Sequence, residues 1–310
     1  MRAMPFPAAT RFYARMTRVC AAVVMLPLLC ARFPAFAGPE TDGKDAFTLE
    51  IRGKSIEVFT YRPKNFDGGR LIVVMHGMNR NARDYRDNAV TLGDRFGALI
   101  AAPAFDLGQF PVEAYQRGGV TRDSKPQPES EWTFRYVWDV VGEMRRREDR
   151  PGMECRLIGH SAGGQFLTRL AGFMPGDAAR IIAGNPGNLL FPTHDMPFQY
   201  GFGGLPEALA GDDALKSYLA APLTLYLGLD DTGTANLDMT ENAMRQGATR
   251  IERGRACFRM GEALAREKGW PFGWRLVEAP GVAHDSKALF AHPQAAEALF
   301  GGSSGALEPH

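Results

Sequence analysis

The chain is poor in cysteine, has no long apolar run, carries almost no net charge and shows no repeat. Each absence excludes a class of protein. Four cysteines in 310 residues are too few for a disulfide-stapled scaffold. Two of them, Cys20 and Cys30, fall in the first 37 residues. Cys155 opens an apolar run and Cys257 shares a helical face with Met260 and Leu264, which favours two buried thiols, with a Cys155–Cys257 bridge as the alternative that sequence leaves open. No stretch supplies the roughly 20 apolar residues that a bilayer crossing needs. No His, Cys, Asp and Glu cluster has metal-ligand spacing and no glycine-rich phosphate loop occurs, so neither a metal nor another cofactor is expected. The net charge is +1, but residues 1–37 hold five arginines and no acid; without them 31 basic residues face 35 acidic ones, a net charge of −4. A mildly acidic remainder argues against nucleic acid as a partner, because phosphate neutralisation needs a basic face.

What is present begins with an address. Arg2, Arg11, Arg15 and Arg18 precede the apolar run Val19 to Leu29, and Ala35-Phe36-Ala37 follows as a small-x-small pattern. This order reads as a signal peptide, residues 1–37, cut after Ala37, and predicts an exported protein, periplasmic or secreted. The run is too short for an anchor and Pro27 interrupts it. No linker divides the rest, which is read as one domain, residues 38–310.

Short apolar runs alternate with amphipathic segments. The strands expected are Ser55 to Tyr61, Arg70 to Met75, Ala98 to Ala102, Cys155 to Gly159, Arg180 to Gly184, Leu223 to Leu227 and Trp274 to Glu278. Helices are expected around Phe134 to Met144, over Ala162 to Phe173 before Met174-Pro175-Gly176, and over Ile251 to Lys268 before Gly269. Continuously apolar strands separated by helices imply an α/β fold, a mostly parallel sheet covered on both faces. Two long connections, Phe105 to Trp132 and Asn185 to Leu205, follow strands and should emerge at the carboxyl edge of the sheet, where such folds place ligands.

One motif carries chemistry. Gly159-His160-Ser161-Ala162-Gly163 joins a strand to a helix. The glycines two residues either side of Ser161 permit the close approach of strand and helix that a sharp turn needs, and the turn projects the hydroxyl off the sheet. A serine is a weak nucleophile without a base. His284, on Ala279-Pro-Gly-Val-Ala-His284-Asp285 after the last strand, is well placed to reach it. His194, in the aromatic loop, is a distant second. His160 and His76 read as packed, His292 and His310 as surface. The base needs a carboxylate to hold its tautomer. Asp230 and Asp231 both follow the strand Leu223 to Leu227; Asp231, third after Gly228, is preferred, with Asp230 left to cap the turn. Asp285 reads as a helix N-cap. Backbone N–H groups of Met78, after His76-Gly77, and of Ala162 are the expected oxyanion donors.

The elbow at Ser161, the His76-Gly77 turn, and the order Ser161, Asp231, His284 together resemble the α/β-hydrolase superfamily over nearly everything after residue 37. Within it the segments resemble exported esterases and polyhydroxyalkanoate-depolymerase-like serine hydrolases. The resemblance implies an eight-stranded sheet and a serine-hydrolase triad cleaving carboxylic esters, polyester or hydroxyalkanoate esters among them. A serine peptidase or acyltransferase on the same scaffold is the alternative, and a non-catalytic binding protein a third. Trp132, Phe191, Phe198 and Tyr200, on the two long loops, stand as candidates to line an acyl or polyester groove, and equally as a satellite core beneath those loops. Arg80 and Arg83 read as a solvated helix face.

Overall fold

The computed structural model describes residues 42–301. The signal reading of residues 1–37 and His310 lie outside the described residues. The strands are β1 (Lys44–Ile51), β2 (Lys54–Tyr61), β3 (Arg70–Met75), β4 (Leu99–Pro103), β5 (Thr121–Arg122), β6 (Lys125–Pro126), β7 (Glu154–His160), β8 (Arg180–Gly184), β9 (Leu223–Gly228) and β10 (Arg275–Ala279). Eight of them form one sheet in the order β1-β2-β4-β3-β7-β8-β9-β10, while β5 and β6 pair alone. From β4 to β10 every pairing is parallel; β2 runs antiparallel to β4, and β1 to β2.

Apolar residues fill both faces of the central strands. In β3, Leu71, Val73 and Met75 join one core, and Ile72 and Val74 the other. The first core is closed by the helices Phe134–Arg147, Ala162–Phe173, Asp212–Ala220 and Arg250–Lys268. The second is closed by the short helices Ala82–Asn88, Val90–Phe96, Ser286–Ala291 and Ala295–Phe300. Burial on both sides is why these strands are continuously apolar instead of alternating.

The topology fixes where a ligand can sit. After β3 the chain turns to β4 on one side, then crosses to β7 on the other. The strand order therefore reverses between β3 and β7, and the crevice at the carboxyl ends of those two strands is a topological switch point. The His76-Gly77 turn leaves β3 there, and Ser161 leaves β7.

Strand β1 was not among the expected strands. It is an edge strand with only half-buried positions inward, tied to β2 by a two-residue turn in which Arg52 has φ +49° and Gly53 φ +73°. Two positive φ values in succession are the hairpin turn whose twist matches its strands. Cys155 and Cys257 are free and buried, and burial pushes the Cys155 thiol up to about 12. Among the described residues no helix is long and apolar enough to cross a membrane.

Candidate active site

Ser161 sits between β7 and its helix with φ +57° and ψ −116°. That backbone region costs a non-glycine residue about 1–3 kcal/mol and persists only where its surroundings enforce it. Here they do. The Ser161 N–H donates to the Gly184 carbonyl at 2.9 Å, and its own carbonyl accepts from Gln165 N–H at 2.9 Å. The flanking glycines are needed for close approach. A Cβ on Gly163 would overlap the Met75 carbonyl, one on Gly159 would meet the Gly163 backbone, and one on Gly164 the Gly184 carbonyl.

Three residues far apart in sequence meet at this crevice. The Ser161 hydroxyl lies 3.1 Å from His284 Nε2, and His284 Nδ1 lies 2.7 Å from Asp231 Oδ2. The tautomer protonated at Nδ1 serves both bonds: Nδ1–H donates to the carboxylate and Nε2 accepts from the hydroxyl. His284 is exposed, whereas the Asp231 side chain is fully enclosed. Asp285 caps the next helix, its Oδ1 accepting from Lys287 and Ala288 N–H. Asp230 is exposed; among the described residues its carboxylate caps no N–H, while its backbone N–H donates to Val282 O and its carbonyl accepts Thr232 N–H. His194 bonds the Ala210 carbonyl at 2.6 Å, which commits it elsewhere.

A residue that sequence reasoning missed completes the surroundings of Asp231. Arg250 Nη1 donates to Asp231 Oδ1 at 3.1 Å, and both side chains are buried. The same guanidinium also donates to the carbonyls of Gly233 and Ala235. It begins the helix Arg250–Lys268, where an arginine ordinarily reads as a solvated charge, so no local signal marks it. Arg253, one turn on, and Arg169, in the helix after Ser161, are likewise buried; Arg253 donates to the loop carbonyls of Gly187, Asp238 and Gly247, and Arg169 to that of Gln199. Three guanidinium groups thus hold the loops around the crevice.

The turn after β3 is closed by Arg80 N–H donating to Gly77 O at 3.3 Å. Among the described residues, no acceptor engages the N–H of Met78 in this turn or of Ala162 at the first position of its helix. His76 braces the turn: Nδ1–H donates to Gly77 O at 3.0 Å and Nε2 accepts Phe105 N–H at 3.0 Å. Both bonds fit a neutral ring, and burial lowers its pKa from 6.5 to about 4. Between those values the unfolded chain binds a proton that the folded one refuses, so stability rises with pH across the window. Acidification from pH 7.5 to 5 is expected to remove about 2 kcal/mol at this residue. His160, whose pKa burial also lowers, acts in the same direction. Urea unfolding at pH 7.5 and pH 5 measures the loss. His76→Gln, which keeps one donor and one acceptor, is expected to flatten the dependence.

His160 lies against His284, the two ring centroids 4.5 Å apart. Its Nδ1 accepts from the Tyr85 hydroxyl at 3.3 Å, a phenol that burial pushes up to about 12 and so keeps protonated.

The aromatic groove candidates require correction. Trp132, Phe191 and Tyr200 are buried in the main core and Phe198 packs half-buried against it. Trp132 donates from Nε1 to Gln127 O and meets Phe134 and Phe173 edge-on. Phe198 also meets Phe173 edge-on, and the Tyr200 hydroxyl donates to Asp238. The long loops fold back over Trp132, Phe191 and Tyr200 and take these rings off the surface, while Phe198 keeps part of its surface open. Arg80 departs from the solvated reading as well: half-buried, it donates to Phe105 O and lies over the Tyr115 ring. Arg83 is exposed and lies over Phe59. Among the described residues no group of three or more His, Cys, Asp or Glu is placed to hold a metal ion.

No family model and no curated protein sequence matches the chain. Solved structures do. A poly(3-hydroxybutyrate) depolymerase, LpqC, from Bordetella parapertussis is 35% identical over 81% of this chain and 88% of its own, with a TM-score of 0.74. Poly(aspartic acid) hydrolase-1 from Sphingomonas sp. KT-1 is 30% identical over 80% of this chain and 95% of its own, with a TM-score of 0.75. The siderophore hydrolase EstB from Aspergillus nidulans shares the fold at 15% identity, over 84% of this chain and 95% of its own, with a TM-score of 0.50. With an eight-stranded, mostly parallel sheet, helices on both faces and these relatives, the chain belongs to the α/β-hydrolases, on their esterase-like branch.

Proposed function

We propose that the protein is an exported serine hydrolase that cleaves carboxylic esters, polyester and hydroxyalkanoate esters included. The observation that carries this reading is the unbroken hydrogen-bonded chain from the Ser161 hydroxyl through His284 to Asp231. Export rests on the basic, apolar and small-residue order of residues 1–37.

Each group then has a role. His284 Nε2 takes the hydroxyl proton as Ser161 attacks the ester carbonyl. Asp231 holds the ring and stabilises the imidazolium. The carbonyl oxygen becomes an oxyanion, received by the N–H groups of Met78 and Ala162; losing one such donor costs about 2.7–4 kcal/mol in the transition state. His284 returns the proton to the departing alkoxide, which leaves as an alcohol. Water, deprotonated by the same imidazole, attacks the acyl-enzyme; the acid departs and the serine is restored. His284 is exposed and Ser161 partly so, which favours substrates that approach from solvent, a polymer chain among them.

Amide cleavage is the second reading, favoured by the relative named for poly(aspartic acid), an amide-linked chain. Paired p-nitrophenyl butyrate and butyryl p-nitroanilide assays separate the two. Turnover of the ester at least 100-fold faster than of the anilide is expected. The opposite ranking assigns the protein to amides, and no turnover of either rejects the hydrolytic role. Release of 3-hydroxybutyrate from a polymer film then tests the polyester class.

A further inference from the structure

The acid and the base stand on different loops, after β9 and after β10, and the serine on a third, after β7. One side chain outside these loops touches two of them. Asn185 is the first residue past β8, with φ +41° and 1% of its surface exposed. Its Oδ1 accepts the Gly228 N–H at 2.7 Å, at the start of the turn that carries Asp231. Its Nδ2 donates to the Ala283 carbonyl at 3.2 Å, the residue before His284. Its backbone N–H donates to Tyr226 O in β9 at 3.1 Å, and the preceding residue, Gly184, accepts the Ser161 N–H at 2.9 Å. A single peptide segment therefore touches the supports of all three groups. The amide orientation is determined by its neighbours: an N–H needs the oxygen and a carbonyl needs the NH₂, and only one of the two flips satisfies both.

The geometry points to Asn185 as a positioning residue of the hydrolytic centre, clamping the acid turn to the base loop so that Asp231 and His284 keep their 2.7 Å contact. This rests on the hydrolytic reading above. The residue type is well matched to the task. Asparagine tolerates a left-handed backbone better than most residues and supplies an acceptor and a donor from one planar group. Glycine keeps the backbone and loses both bonds. Aspartate keeps the acceptor, loses the donor, and sets a carboxylate against the Ala283 carbonyl. The clamp is reinforced where the loops touch directly: Asp230 N–H donates to Val282 O at 2.9 Å and Leu229 N–H to Ala279 O at 3.0 Å. A side chain on Gly228 would overlap that Val282 carbonyl. The direct contacts hold Leu229 and Asp230, and Asn185 reaches Ala283, the residue just before the imidazole.

The test compares the full-length protein with Asn185→Asp and Asn185→Gly. Displacing a catalytic group by about 1 Å costs about 100-fold, so kcat for p-nitrophenyl butyrate is expected to fall about 100-fold in either variant, with KM within about twofold of the unsubstituted value. A purely structural residue would lower the amount of folded enzyme without this split. The second readout is independent of turnover: a low-field proton resonance of the His284 Nδ1–H bonded to Asp231 is expected in the unsubstituted protein and is expected to broaden or vanish in both variants. If one variant does not fold, the other carries the test, since Gly relieves the backbone and Asp preserves the volume. A kcat within threefold of the unsubstituted value, or an unchanged resonance alongside reduced turnover, overturns the proposal. If the unsubstituted protein turns over no substrate, the hydrolytic reading fails by itself, while the resonance still reports whether Asn185 positions the imidazole.

Discussion

Ser161→Ala is expected to remove ester turnover, lowering kcat by about 10⁶-fold while leaving the fold in place. The two halves of this expectation have separate physical grounds. Among the described residues, the hydroxyl bonded to the His284 imidazole is that of Ser161, so no neighbour substitutes for it. What remains is the contribution of binding and of the oxyanion donors, about 10³–10⁴ over water. The fold survives because the interactions that force the positive φ at position 161 are backbone ones, to Gly184 and Gln165, and alanine makes them equally well. Nitrophenyl ester kinetics together with thermal unfolding measure both. Turnover at the unsubstituted rate in a correctly folded Ser161→Ala protein would falsify the assignment.

Asp231→Asn is expected to be costly twice over. An amide in place of the carboxylate can present an N–H to His284, favouring the wrong tautomer, and loss of the orienting acid lowers kcat by about 10⁴-fold. The second cost comes from Arg250, whose guanidinium is buried against Asp231 Oδ1. Removing one member of a buried ion pair leaves the other charge uncompensated, at about 3–5 kcal/mol. Urea unfolding is therefore expected to shift alongside the kinetics, and kcat must be referred to folded enzyme. Asp230→Asn supplies the control. That side chain is exposed, and surface substitutions of this kind stay within about 0.5 kcal/mol, so both stability and kcat should remain near those of the unsubstituted protein. A reversed ranking of the two variants would exchange their roles.

Position along the sheet explains what could be read in advance. Strand β8 and the helix Ala162–Phe173 coincide with their expected ranges because each is apolar throughout or bounded by breakers. Ser161, Asp231 and His284 could be singled out because each follows a strand end, and a parallel sheet brings such ends to one edge. Strand β1 was hidden by its exposed edge and by an arginine in a left-handed turn position. The helices between residues 82 and 96 were hidden by their charge: in Ala82–Asn88 only Ala82, Tyr85 and Arg86 are buried. The supports of the site were the least legible. Arg250 is 19 residues from Asp231, and Asn185 is 43 from Gly228 and 98 from Ala283. Side-chain contacts across such separations follow no periodicity. The aromatic loops erred in the other direction: composition described their rings correctly, but not whether they faced solvent or their own backbone.

The Arg250 contact makes the location of Asp231 a property of the helix Arg250–Lys268 rather than of the short turn that bears it. Transplanting residues 228–232 into a related scaffold would carry the aspartate without its counter-ion, and the chimera would inherit an orphaned anion beneath its histidine. Recombination across this family is expected to succeed only where the turn and the opening of that helix travel together.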